Sequence, residues 1–231
     1  MKPPWILRLA WRDLLFLHWP LPAEALTPHL PDGVTLDTRD GQAWLALVAF
    51  NVTGFGVRGV PLQLQFPQIN LRTYVRVQDV PGIWTFSLDA AHPLAVVGAR
   101  WAYQLPYKLA EASLSVEDNW LVFQSSRHNQ PDMDSHIRFR PAGPVFRALP
   151  GSTEHWLTER RSLYTLGWGQ RLWRADVQHE AWPLQVAELA RFHSGLPAQV
   201  GAVALGAPLA HFARVVHVKG WPPVGQPRDR T

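Results

Sequence analysis

Proline and glycine break this chain about every ten to fifteen residues, from Pro20 and Pro22 through Gly54, Gly56 and Gly59 to Pro222 and Pro223. Long helices do not tolerate that spacing, because proline removes an amide donor and glycine costs backbone entropy. Short strands joined by turns do tolerate it. Residues 12–19 read as a strand stopped by Pro20 and Pro22, and 22–30 as a short helix ended by Pro31-Asp32-Gly33. Residues 34–38 and 43–52 read as a hairpin around Arg39-Asp40-Gly41-Gln42, and 54–59 as a glycine-rich loop. A strand over 69–77 turns at Asp79-Val80-Pro81-Gly82 into another over 83–89. Leu94, Val97, Gly98 and Trp101 recur at helical spacing, which predicts a helix over 93–103 packed by that face. Strands follow over 109–116 and 120–126, joined by Glu117-Asp118-Asn119, and over 135–140. A short helix over 153–160 has Ser152 or Thr153 as its cap. A late hairpin spans 162–168 and 171–180, turned at Gly169. A helix over 183–192 and a strand over 209–218 complete the pattern. Sequential hairpins of this kind predict a mainly β (α+β) fold: an antiparallel barrel or sandwich with short helices outside it.

Composition narrows the function. With 231 residues, 47% of them hydrophobic and only 17% charged, the chain is globular rather than disordered. The expectation is one domain over 1–221 and a frayed Pro- and Arg-rich tail over 222–231. There is no cysteine, which excludes disulfides, thiolate metal sites and a cysteine nucleophile. The formal charge is +4 but the arginines are scattered, so no nucleic-acid-binding stripe is visible. No apolar run reaches the roughly 20 residues of a membrane helix. The first 22 residues carry Arg8, Arg12 and Asp13 and lack a signal-peptide cleavage site. The expected location is cytoplasmic, the expected partner a small molecule, and a homo-oligomer is left open.

Few residues are candidates for chemistry. Strand alternation puts Asn70, Arg72, Tyr74 and Arg76 on one face, with Ile69, Leu71, Val75 and Val77 on the other. That polar row is either a wet outer face or the lining of a cavity, where Arg72 would grip a carboxylate. His18 ends the first strand, as a packed or a site residue. The stretch from His128 to His136 holds two His and two Asp, which fits a polar hairpin tip as well as a metal loop. No phosphate-binding glycine loop and no Gly-x-Ser-x-Gly elbow is present. Lys108, in Leu105-Pro106-Tyr107-Lys108-Leu109, is the only lysine away from the termini. It is either a surface residue or a lysine used for its titratable amine.

An ordered set of motifs goes further. Phe16-x-His18-Trp19-Pro20, Leu30-Pro31-Asp32-Gly33, Phe66-Pro67-x-x-Asn70-x-Arg72-Thr73-Tyr74-Val75, Pro81-Gly82-Ile83-Trp84, Phe86-Ser87-Leu88-Asp89 and Leu105-Pro106-Tyr107 resemble the YqjF-like family of unknown function. The match runs over about residues 10 to 220. That family is similar, more distantly, to acetoacetate decarboxylase. The resemblance implies an antiparallel β barrel or cone with the ligand cavity inside it. In the decarboxylase a lysine forms an imine with the substrate ketone, and the lysine after it lowers its pKa. Aligned at Pro106, Tyr107 takes the place of the reactive lysine and Lys108 that of its helper. Arg12 is the match for the decarboxylase's site arginine, and residues 43–50 carry no acidic residue.

The resulting expectation is a small-molecule-binding barrel that keeps the cavity without the imine lysine. Asn70, Arg72, Tyr107 and Lys108 are the cavity residues, with His18 and Arg100 behind them, and no cofactor or metal is expected. Two other readings stay open: a Schiff-base enzyme acting on a keto acid through Lys108, and a structural or assembly protein.

Overall fold

The computed structural model describes residues 4–227. Its strands are β1 (Leu7–Leu21), β2 (Thr35–Leu36), β3 (Ala43–Val57), β4 (Leu64–Val77), β5 (Val80–Ala90), β6 (Tyr107–Leu109), β7 (Glu111–Glu117), β8 (Trp120–Arg127), β9 (Gln130–Phe146), β10 (Ser162–Leu166), β11 (Leu172–His179), β12 (Leu184–Ser194), β13 (Leu209–Gly220) and β14 (Val224–Gly225). The α-helices are α1 (Ala23–Leu26), α2 (Pro93–Tyr103) and α3 (Thr153–Thr158). None of the described helices is long and apolar enough to cross a membrane.

Seven strands close a ring in the order β11-β10-β5-β4-β3-β1-β13, and β13 returns to β11 through Val177↔Gly220 and His179↔Val218. The edge of β13 that meets β11 at one end meets β12 at the other, through Leu184↔Ala213 and Val186↔His211. From β12 the sheet continues to β9, β8 and β7. This arm covers the outer face of the ring. Leu15, Leu17, Leu47, Ile69 and Leu71 pack there with Phe123, Ile137, Phe139 and Phe212. The inner face holds Phe16, Val48, Phe50, Phe66 and Tyr74. Strands apolar on both sides need cover on both sides. That is why Leu14 to Trp19 runs unbroken at 0–1% exposure.

The β class and most turns agree with the sequence reading. Gln78-Asp79 and Asp118-Asn119 both adopt positive φ, as two-residue hairpin turns require. Ser152 caps α3 by accepting the amide of His155. Several expectations need correction. The sheet is mixed, because β10 and β6 both run parallel to β5. Thr35 and Leu36 pair with Arg76 and Val75 of β4 rather than forming a hairpin with β3, and β3 itself extends through the expected glycine-rich loop to Val57. The expected helix over 183–192 is strand β12. Two register shifts, at Leu184/Val186 and Leu189/Arg191, put its alternation out of phase and hide the period of two. Residues 130–134, expected as a polar loop before the strand over 135–140, belong to β9. Helix α2 has the expected bounds, but the residues it buries are Ala95 and Val96, whereas Leu94, Val97 and Trp101 of the expected face are 63–72% exposed. Val224 and Gly225 of the expected tail pair with β11, and residues 228–231 lie outside the described range.

The ring closes through a short parallel contact, Leu163↔Ile83 and Tyr164↔Trp84. A Cβ on Gly82 would lie 2.5 Å from the Tyr164 ring and 2.7 Å from the Ser162 carbonyl oxygen. Gly82→Ala should therefore cost about 1–3 kcal/mol, as overpacking does. Urea unfolding measures it, and an unchanged midpoint would mean that β10 shifts freely at this seam.

Candidate ligand-binding cavity

The ring encloses a cavity of about 350 Å³. Strand alternation selects its lining. From β4 come Leu64, Phe66, Gln68, Asn70 and Arg72, every second residue. On β1 a bulge at Asp13, whose φ is 52°, lets both Trp11 and Leu14 face inward. A register shift between Leu71 and Arg72 does the same for Thr85 and Leu88 of β5.

Helix α2 lies across one end of the ring. It starts where His92 meets Phe66, with ring centroids 6.0 Å apart. It ends where the Tyr103 hydroxyl donates to the Trp221 carbonyl and the Gln104 carbonyl accepts from Thr165. Leu94, Gly98 and Trp101 line the cavity and are also exposed, so the mouth is beside this helix.

Most of the wall is apolar; apart from Thr85, Thr158 and His179, its polar side chains fall into two sets. Midway, Tyr107 of β6 donates its hydroxyl to the Gln68 Oε1 at 3.0 Å. Burial pushes the Tyr107 phenol pKa up, and the Gln68 contact only partly offsets that. At the end away from α2 sit Asn70, Arg72 and Arg160. Arg160, just past α3, donates Nη1 to the Asp37 Oδ2 at 2.5 Å and Nε to the Trp156 carbonyl at 2.7 Å. Asp37 also accepts from Arg76. Arg160 thus has a counter-charge, although its Nη2 has no partner.

Arg72 has none. Among the described residues no carboxylate pairs with it, and its Nε has no hydrogen bond, nor has the Asn70 Oδ1. Burial is the main reason its pKa is lowered, and the surface it retains faces the cavity. Its guanidinium carbon lies 5.9 Å from the Phe16 ring. Tyr74, two residues on along the same face of β4, is wholly buried, with a hydroxyl that falls short of hydrogen-bond geometry. Burial also raises the Tyr74 pKa.

The structure sorts the sequence candidates. Asn70, Arg72 and Tyr107 line one cavity. His18 lies below its floor, 0% exposed, with neither ring nitrogen in a well-formed hydrogen bond. Burial first, and then the charge of Arg72, hold its pKa well below the ordinary histidine value. Lys108 is exposed on the outside of β6, because its side chain alternates with that of Tyr107. Arg100 is exposed on α2, and Arg12 is exposed on β1. Neither Lys108 nor Arg100 reaches the cavity. Their placement corrects the sequence expectation. Of the 128–136 stretch, Asp134 pairs with His193 and His128 with Glu111. No group of three such side chains among the described residues is placed to hold a metal ion. Sequence reasoning missed Gln68 and Arg160. Gln68 was accessible to it, being two residues before Asn70 on the same strand. Arg160 reaches the cavity only through tertiary folding.

A closed ring of strands around an internal cavity, with short helices outside, is the acetoacetate decarboxylase-like fold. The enduracididine biosynthesis enzyme MppR, complexed with pyruvate, superposes with a TM-score of 0.67 at 13% identity, over 97% of this chain and 91% of that one. Acetoacetate decarboxylase from Legionella pneumophila gives 0.64 at 14% identity, over 99% and 90%. The sequence comparison is more specific. The model of the DUF2071 family, an uncharacterized conserved protein, matches residues 8–217. The uncharacterized protein YqjF of Bacillus subtilis is 38% identical over 94% of this chain and 91% of its own length. The chain belongs to this YqjF-like DUF2071 family.

Proposed function

We propose that the protein binds a small carboxylate-bearing molecule in the ring cavity, with Arg72 as the counter-ion and Asn70 and Tyr107 orienting the ligand. The observation that carries this reading is the Arg72 guanidinium, which has no carboxylate partner and a buried Nε without a hydrogen bond, in a largely apolar chamber. A buried charge without a partner is costly, and an anion in the cavity removes that cost. Arg160 adds a second positive group to the same end. A carboxylate is the natural guest for a guanidinium fork, which it meets with two parallel hydrogen bonds. That MppR, with this fold, is complexed with pyruvate supports an acid as guest. The reading does not involve an imine, because Tyr107 cannot form one and Lys108 lies outside.

Arg72→Met tests the reading. It keeps the aliphatic stem and removes the charge. Binding of small monocarboxylates, followed by calorimetry, should weaken by about 1.5–3 kcal/mol, the range for hydrogen bonds to charged groups. Equal affinity in the variant would move the acid elsewhere and end the proposal.

A further inference from the structure

The cavity is far larger and more apolar than a two- or three-carbon acid requires. Its volume of about 350 Å³ lies in the range of pockets for drug-sized ligands. At the roughly 30 Å³ that one water occupies in the liquid, it corresponds to about twelve non-hydrogen atoms. It is also long. From Phe66 to Arg72 along β4, at a rise of about 3.3 Å per residue, the inner face extends roughly 20 Å.

Polarity is distributed unevenly along that length. The groups that lack a hydrogen-bond partner, on Asn70, Arg72 and Arg160, are at the floor. Midway, Gln68 and Tyr107 satisfy one another and ask little of a guest. Toward α2 the wall is Leu9, Val52, Leu64 and Phe66, with Ala95 and Ala99 of the helix. A polar ligand filling this space would leave its own groups unpaired along the walls. A short acid at Arg72 would leave most of the apolar wall uncovered.

We infer that the ligand is an amphipathic acid: a carboxylate held at Arg72, and an unbranched apolar body of about ten heavy atoms running toward α2. The inference rests on the reading of Arg72 given above and adds the class of molecule. The exposed Leu94 and Trp101, which line the mouth, would be the last residues to touch the end of the apolar body.

The test is calorimetric titration of the whole protein with acetate, butyrate, hexanoate, octanoate and decanoate, each below its aggregation threshold. Decanol serves as the uncharged analogue and Arg72→Met as the variant. Affinity should rise about fourfold for each methylene buried. It should reach one acid per chain and level off once the body outgrows the chamber. Decanol and the variant should each lose at least tenfold against decanoate binding to the unaltered protein. Acids that all bind alike and need Arg72 would overturn the amphipathic ligand and leave the carboxylate site standing. Decanoate that binds equally to the variant, or no better than decanol, would overturn the carboxylate site too. So would a series in which no acid binds.

Discussion

Arg127→Met should lower the stability of the fold by about 3–5 kcal/mol, the cost of breaking one side of a buried ion pair. Arg127 ends β8 in the outer arm, and Asp89 lies near the end of β5 in the ring. Two bonds of 2.7 Å join them, Nε to Oδ2 and Nη2 to Oδ1, with side chains 6% and 0% exposed. The remaining Nη1 donates to the Gln130 Oε1 at 2.8 Å. Even with this partner, burial raises the Asp89 pKa more than Arg127 lowers it. An apolar contact of the same shape in place of such a buried pair is often neutral or stabilising, and this pair joins the arm to the ring. Two results follow. The single variant should lose several kcal/mol in denaturant unfolding. The double variant Asp89→Leu with Arg127→Met should recover most of that loss, because it leaves no unpaired charge. A single variant that loses less than about 1 kcal/mol, the usual value of an exposed pair, would show that Asp89 reaches water.

Stability should also fall steeply on mild acidification, beginning near pH 6.5. Burial lowers the pKa of His18, His179 and His211, and each is at most 5% exposed. In the unfolded chain these imidazoles take up protons as the pH drops through about 6.5. In the fold they stay neutral to lower pH. The unfolded state then binds more protons, and unfolding becomes easier as pH falls. The contribution is fully present above the unfolded pKa and is lost below it, at up to about 1.4 kcal/mol per pH unit for each group. The three together give a ceiling of about 4 kcal/mol per unit. Asp89 acts in the opposite sense, since a raised pKa favours the fold when the carboxyl takes up a proton. It is one group against three, and its shift starts from the carboxylate range. Urea unfolding between pH 7.5 and 5 measures the slope. His18→Leu should reduce it by the share of one group. A free energy that stays level from pH 7 to 5.5 would mean that the buried imidazoles are reached by protons in the fold.

The sequence alone determined the β class, most hairpin turns, the bounds of α2 and the alternation of β4. Each of these depends on residues adjacent in the chain. Gln78-Asp79 and Asp118-Asn119 twist the backbone locally, and Pro93 starts a helix wherever that helix lies. The polar face of β4 was legible for the same reason, since side chains alternate whatever the neighbours are. Whether that face looked to water or into a chamber was not. Both faces of β1, β3 and β4 are buried, so hydrophobic pattern could not tell inside from outside. Ring closure decided it, by pairings between β11 and β13 and between β5 and β10 that join distant parts of the chain. Long-range pairing also settled β12, whose helix-forming residues became a strand lying between β9 along most of its length and β13 at Leu184 to Val186. It brought Arg160 to Arg72, and it left Lys108 and Arg100 outside. Turn chemistry is written in consecutive residues. Which face becomes interior depends on which strands meet, and no local period carries that information.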